Sequence, residues 1–275
     1  SSRRRHTRYW RDWSSDVCSS DLVCRLARKC GTKVALSGQG GDELFGGYPS
    51  FKTIPGWRSM HRALGPLRGV ASGMLKVLAG ENPRYMRLRD FLQGGGNWLE
   101  AYHCRRGIFT EADAAKLAED FTGRRPAPID WDAQDFEGEG AEVVAHLETK
   151  KYMRNQLLRD SDVFSMAHGV ELRVPFVDRD LLEALNEVPS DVRYRPHKDL
   201  LIAAVPEIPD WLKHNRKKGF AFPFEKWMRN GFADILRQAC AGVPVVPKTW
   251  YQTWAIAMLQ LATQQSLEAS SERKV

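Results

Sequence analysis

Apolar positions recur at helical spacing over most of the chain, and one short run breaks that rhythm. Val23 to Cys30 reads as an amphipathic helix closed by Gly31, and Lys33 to Leu36, with its apolar run Val34-Ala35-Leu36, reads as a strand. Beyond Pro55 the pattern turns helical again. Trp57 to Leu64, Leu67 to Leu78, Arg84 to Leu92 and Trp98 to Cys104 are predicted helices, broken at Gly65-Pro66 and Gly94-Gly95-Gly96. Thr110 is the expected N-cap of a helix from Glu111 to Asp120, and Gly123 to Gly140, with its prolines and acids, is expected to be a surface loop or hinge. From Glu142 to Val170, Leu147, Tyr152 (with Met153), Leu157 and Phe164 predict one long buried helix. Arg179 to Val188, a helix over Phe224 to Arg229 opened by Pro223, and a Trp-rich helix from Thr249 to Thr263 complete the pattern.

The stretch that follows the strand is of another kind. Ser37 to Pro49 reads S-G-Q-G-G-D-E-L-F-G-G-Y-P, with five glycines in thirteen residues. Glycine lets backbone take positive φ and lie close to a ligand, and Asp42 and Glu43 place two carboxylates where the turn enters a helix. A glycine turn with acids at a strand end is where open α/β sheets take phosphorylated ligands. Helix, strand and turn make one half of an α/β unit, whose other half is expected upstream of the chain. The fold class expected is therefore α/β, mostly helical over these residues.

Composition narrows the function classes. At 275 residues with 43% hydrophobic and 27% charged content, the chain is of ordinary globular make-up. No apolar run reaches the ~18 residues that span a bilayer, and no secretory signal opens the chain. Five cysteines without a C-x-x-C pair argue against a disulfide framework or zinc knuckle and suit the reducing cytoplasm. The net charge of +7 comes from basic residues scattered among acids, with no nucleic-acid motif beside them, so no nucleic-acid partner is expected. Residues 1–22, SSRRRHTRYWRDWSSDVCSSDL, lack apolar periodicity and resemble translated sequencing-adapter sequence, so they are expected to be non-native or disordered; the rival reading is a basic arm that contacts a partner.

Three stretches occur in an ordered set: Ser37 to Pro49, then S-M-A-H-G-V-E-L-R-V-P-F-V-D (Ser165 to Asp178), then R-K-K-G-F-A-F-P-F-E-K-W (Arg216 to Trp227). Together they resemble the synthetase domain of glutamine-dependent asparagine synthetases and their asparagine-synthase-like amidotransferase relatives, from about Val23 to the C-terminus. The resemblance implies a fold of the ATP-pyrophosphatase type, incomplete here at its N-terminal side. It also implies a ligase reaction in which ATP converts a carboxylate, aspartate in the first instance, into an acyl-adenylate with release of pyrophosphate. Ammonia from glutamine, made in an N-terminal glutaminase domain, then displaces AMP. ATP and Mg²⁺ are the implied cofactors. Aspartate, ATP and ammonia are the implied small-molecule partners, with no membrane and with a homodimer as the candidate assembly.

Carried over residue by residue, the resemblance places Ser37 and Gly38 at the nucleotide and Asp42 at Mg²⁺. A divalent cation neutralises phosphate charge and takes one or two protein carboxylates, so Asp42 suits the task; its alternative is a plain N-cap on the following helix. Lys217 matches the family lysine on the pyrophosphate side, with Lys218 as its equally placed neighbour, and a solvated basic loop is the alternative for both. Arg159, with Asp160, falls mid-helix in an apolar context and either pairs locally or reaches the phosphates. Glu171 and Arg173 are expected to form an ion pair that pins their loop, and His168 to be a satisfied core histidine.

The chain departs from the family pattern twice. A Ser-Gly-Gly-x-Asp-Ser phosphate loop and the glutaminase domain are expected upstream, so the chain alone is expected to be inactive on ATP and glutamine. Gln39 stands where asparagine synthetases commonly carry a glutamate that handles the ammonia proton, and a glutamine is no base at neutral pH. That leaves open another proton route, amidation of another carboxylate, as in cell-surface polysaccharide modification, or a non-catalytic scaffold.

Overall fold

The computed structural model describes residues 12–78, 82–127, 138, 140–213 and 223–272. In chain order these form α1 (Asp12–Lys29), β1 (Val34–Leu36), α2 (Gly41–Leu44), α3 (Ser50–Leu64), α4 (Arg68–Leu78), α5 (Pro83–Gln93), α6 (Trp98–Arg106), α7 (Glu111–Thr122) and α8 (Ala141–Leu147). A π-helical stretch, Glu148–Leu157, leads into α9 (Leu158–Ala167), followed by β2 (Glu171–Arg173) and α10 (Arg179–Asn186). Next come α11 (Ser190–Arg193), α12 (Asp199–Ala204), α13 (Asp210–Lys213), α14 (Phe224–Asn230), α15 (Ala233–Ala239) and α16 (Trp250–Glu272). Two compact units are drawn from them: Ser1–Pro55 with Phe136–Phe222, and Gly56–Asp135 with Pro223–Val275.

In the first unit α1 is longer than its expected start at Val23, since residues 12–22 are helical too. It ends as the glycine predicted. Gly31 takes φ 77°, its N–H donates to the Arg28 carbonyl, and the Thr32 N–H donates to that of Ala27, which satisfies two orphan carbonyls. β1 then pairs in parallel with β2, Val34 opposite Glu171 and Leu36 opposite Arg173, the one sheet among the described residues. Arg173 and Glu171 form the expected ion pair at 2.8 Å on the exposed surface of that strand. Beside the sheet, Leu44, Phe45 and Leu185 form a buried cluster covered by Phe176, Leu181 and Leu200. Arg193, 7% exposed, donates to the carbonyls of Leu44 (2.9 Å) and Leu185 (3.1 Å), supplying donors where α2 and α10 end.

The long helix expected from Glu142 is continuous but not uniform. Its middle ten residues are π-helical, and their buried positions, Glu148, Tyr152, Met153 and Leu157, repeat every four to five residues. That matches i→i+5 bonding and not a 3.6-residue turn. The sequence already carried this spacing, because Leu147, Tyr152 and Leu157 are five apart.

In the second unit α7 and α16 bury Leu117 and Ile256 in one cluster with Val245, and α14 to α16 bury Met228, Leu236 and Ala257 in another. Thr110 caps α7 as expected, accepting from the Asp113 N–H. Two of the three glycines before α6 have a definite use: the N–H groups of Gly95 and Gly96, with that of Asn97, donate to the Glu100 carboxylate, which closes a capping box with Asn97. Among further boundaries that differ from expectation, α3 starts at Ser50 and runs through Pro55, and α16 extends to Glu272; Pro223 is the N-cap of α14. No described helix is long and apolar enough to cross a membrane.

Candidate functional site

The site is built on the turn that leaves β1. The Ser37 N–H donates to the Arg173 carbonyl at 2.8 Å and so extends the parallel ladder by one rung. Ser37 Oγ accepts from the Gln39 N–H at 3.3 Å, a local turn that competes with further strand. Gly40 then takes φ 93°, and a Cβ there would lie 3.1 Å from Phe176 Cβ, so both its conformation and its neighbour call for glycine. Ser37, Gly38, Gln39 and Asp42 are thus carried on one tight loop at the carboxyl end of a parallel strand. Such a place is where α/β folds gather ligands.

Gln39 faces α9. Its Nε2 donates to Ser161 Oγ at 2.5 Å, while its Oε1 is buried with no hydrogen-bond partner. A buried acceptor left open is uncommon, and it is met by a ligand that brings an N–H or O–H. Beside it lies a hollow of about 310 Å³ whose polar lining is Gln39, Ser161, Asp162, Ser165 and Glu171. Two carboxylates and no cation line it, which suits a ligand group with donors or positive charge.

Asp42 is the second residue of α2, whose N-cap is Gly40, so the capping alternative for Asp42 does not hold. Its Oδ1 instead lies 2.6 Å from Lys198 Nζ. Glu43 points away from this pair and is 1% exposed, accepting from Tyr48 Oη at 2.9 Å. Burial pushes the Glu43 carboxyl above the ordinary range; the Tyr48 hydrogen bond opposes this, and the charges of Asp42 and Glu148 add to it. Burial, with Glu43 beside it, pushes the Tyr48 phenol far up as well. Glu148, on the π-helical stretch, is fully buried and accepts from Ser50 Oγ at 2.5 Å. Neither glutamate lines the hollow; Glu43 is held within the loop by Tyr48, and Glu148 ties the π-helical stretch to Ser50 at the start of α3.

Arg159 is exposed and does not line the hollow, which corrects the expectation of a charge embedded in an apolar face. Its neighbour Asp160 is half-buried, and desolvation raises its carboxyl while Arg159 lowers it. His168 is half-buried and pairs with Asp21 of α1 at 2.7 Å, so it is satisfied from the head of the chain and is not a core residue. Lys217 and Lys218 lie outside the described residues.

Among the described residues no group of three or more His, Cys, Asp or Glu is placed to hold a metal by itself. One carboxylate is a protein ligand for a cation shared with a bound phosphate, as Mg²⁺ is when phosphates and water complete its shell; the Lys198 ammonium beside it is not a ligand. Asp42 fits Mg²⁺ in that sense alone. Lys198, Ser161 and Arg193 went unmarked in the sequence. Pro196-His197-Lys198 carries no signal of a left-handed turn, and Ser161 and Arg193 act through contacts made far along the chain.

Comparison with known proteins gives the class, an asparagine-synthase-like synthetase domain. The chain belongs to the asparagine synthase family, whose model matches residues 13–272. It is 33% identical over 234 residues to a putative glutamine-hydrolysing asparagine synthetase of Mycobacterium tuberculosis, covering 81% of this chain and 34% of that protein. It is 28% identical over 226 residues to asparagine synthetase [glutamine-hydrolyzing] 1 of Bacillus subtilis, covering 78% and 34%. It is 26% identical over 253 residues to the amidase chry2 of Gibberella zeae, covering 78% and 37%. The chain therefore spans about a third of the length of these relatives. No solved structure matches it.

Proposed function

We propose that this chain forms the later part of a cytoplasmic synthetase domain, of the ATP-pyrophosphatase type, that adenylates the aspartate side chain and passes it to ammonia. The products are asparagine, AMP and pyrophosphate, with glutamine supplying the ammonia through a glutaminase domain. The observation that carries this reading is the glycine turn at the end of β1, which presents Ser37, Gly38, Gln39 and Asp42 from one short loop. Ser37 and Gly38 are assigned to the nucleotide. Asp42 is assigned to Mg²⁺, which when bound neutralises phosphate charge. Lys217, with Lys218 beside it, and Arg159 are assigned to charge that develops on the pyrophosphate side.

Gln39 is assigned to the acyl group and the incoming amine. Held by Ser161, its Oε1 accepts a hydrogen bond from an ammonia N–H and so orients the nucleophile. It takes no proton, so the proton of the attacking ammonia leaves to another acceptor. The amide at this position also favours a second reading, amidation of a different carboxylate by the same steps.

Pyrophosphate release, measured with ATP, Mg²⁺ and ammonium on a protein that joins this chain to the phosphate-loop segment of its reading frame, tests both. Release that depends on aspartate supports the first reading. Release with another carboxylic acid only selects the second, and no release with any acid overturns adenylation.

A further inference from the structure

We propose that Lys198 is a positioning residue of this site: its ammonium rests on Asp42 in the place of a divalent cation, is displaced when that cation binds, and then meets the phosphate group the cation brings. The proposal rests on the reading of Asp42 as a metal ligand.

Three observations carry it. Lys198 Nζ lies 2.6 Å from Asp42 Oδ1, with the two side chains 31% and 21% exposed. That is a tight, partly desolvated contact at the carboxylate the turn presents. Second, Lys198 (φ 60°) and His197 (φ 66°) are the non-glycine residues with positive φ among those described, and they are adjacent. Left-handed backbone at such residues persists where the surroundings impose it, and it gathers at ligand sites. Third, the space for the pair is made by a glycine of the same loop. A Cβ on Gly47 would collide with both the Asp42 carboxylate and Lys198 Cε, so the pair fits only because that position is glycine. The turn is thus cut to hold an ammonium against Asp42.

An ammonium and a divalent cation do not share one carboxylate oxygen at contact distance, because their repulsion is strong in a partly dry site. Binding of the cation at Oδ1, the oxygen that Nζ occupies, therefore releases Nζ. The flexible four-carbon stem of lysine keeps the freed charge within a few ångströms, where three donors face an anionic oxygen. Each charge keeps a partner: in the resting turn the ammonium faces Asp42, and in the loaded turn the metal faces Asp42 and the freed ammonium faces the phosphate. It also discourages metal from binding before the phosphate arrives.

Binding of Mn²⁺ to the whole chain, followed by electron paramagnetic resonance of the free ion, tests this without turnover. Lys198→Met is expected to bind Mn²⁺ about threefold to tenfold more tightly than the unaltered chain in the absence of phosphate, the range for removing one partly screened competing charge. Added pyrophosphate is expected to tighten Mn²⁺ binding in the unaltered chain by a larger factor than in Lys198→Met. Asp42→Asn is expected to lose Mn²⁺ binding in both backgrounds. Asp42-dependent binding of equal strength with and without Lys198 overturns the proposal and leaves the metal reading standing. Binding that ignores Asp42, or no binding, overturns the metal reading and the proposal with it. Circular dichroism checks each variant for folding, and Lys198→Asn, which tolerates left-handed backbone, carries the same expectations if the methionine variant unfolds.

Discussion

Replacing Gly40 by alanine tests whether the shape of the turn is set by backbone and packing together. Gly40 sits at φ 93°, ψ −26°, where an L-residue with a Cβ is strained by roughly 1–2 kcal/mol. The added Cβ would lie 3.1 Å from Phe176 Cβ and 3.2 Å from the Phe176 carbonyl oxygen. Phe176 packs on the cluster of Leu44, Phe45 and Leu185, and its carbonyl is backbone, so it yields little. Relief of that contact adds up to about 1 kcal/mol, and the expected loss is about 1–3 kcal/mol. A loss of that size lowers the folding equilibrium constant by roughly 5-fold to 150-fold.

Gly38 provides the internal control. It has no positive φ, and a Cβ there meets nothing within 4 Å. Gly38→Ala is therefore expected to change stability by less than about 1 kcal/mol, with a small gain from the restricted unfolded chain. Urea unfolding followed by far-ultraviolet circular dichroism compares the midpoints of the two variants. Equal midpoints would refute the reasoning, whichever way both moved.

Other outcomes follow from the same structure. Arg193→Met would leave the buried carbonyls of Leu44 and Leu185 without this donor and should destabilise by about 2–4 kcal/mol in the same urea assay. Burial, and then Arg87, hold the His103 imidazole below its ordinary value of 6.5, so its folded state binds fewer protons than its unfolded one. Its stabilising share is full above that ordinary value and is lost as pH falls below it, and His103→Gln should flatten the stability profile on the acid side of pH ~6.5. In the protein that joins this chain to its phosphate-loop segment, Gln39→Glu should raise aspartate amidation if a missing base limits the rate. Unchanged amidation, read as asparagine formed from ammonium, would leave Gln39 as a positioning group only.

The extent to which the site was legible differs from residue to residue. The turn from Ser37 to Pro49 was plain, because glycines, a preceding strand and two carboxylates are local features that a short window carries. Whether Asp42 capped a helix was decided two residues before it, since Gly40 takes the cap position. Arg159 looked buried when read with a uniform 3.6-residue turn. The π-helical stretch before it shifts which side chains face inward, and Arg159 is exposed.

Sequence by itself determined the elements and their punctuation: the strand at Val34–Leu36, the helix stop at Gly31, the cap at Thr110, and the three ordered motifs of the asparagine synthase family. These depend on propensity, on backbone permitted by glycine, and on hydrogen bonds between residues a few positions apart. Tertiary structure alone decided which chemistry the turn meets. Ser161 is 122 positions from Gln39, Arg173 is brought to Ser37 by strand pairing, and Lys198 reaches Asp42 from beyond β2. Those partners are chosen by packing across long stretches of chain, where spacing in sequence carries no distance in space.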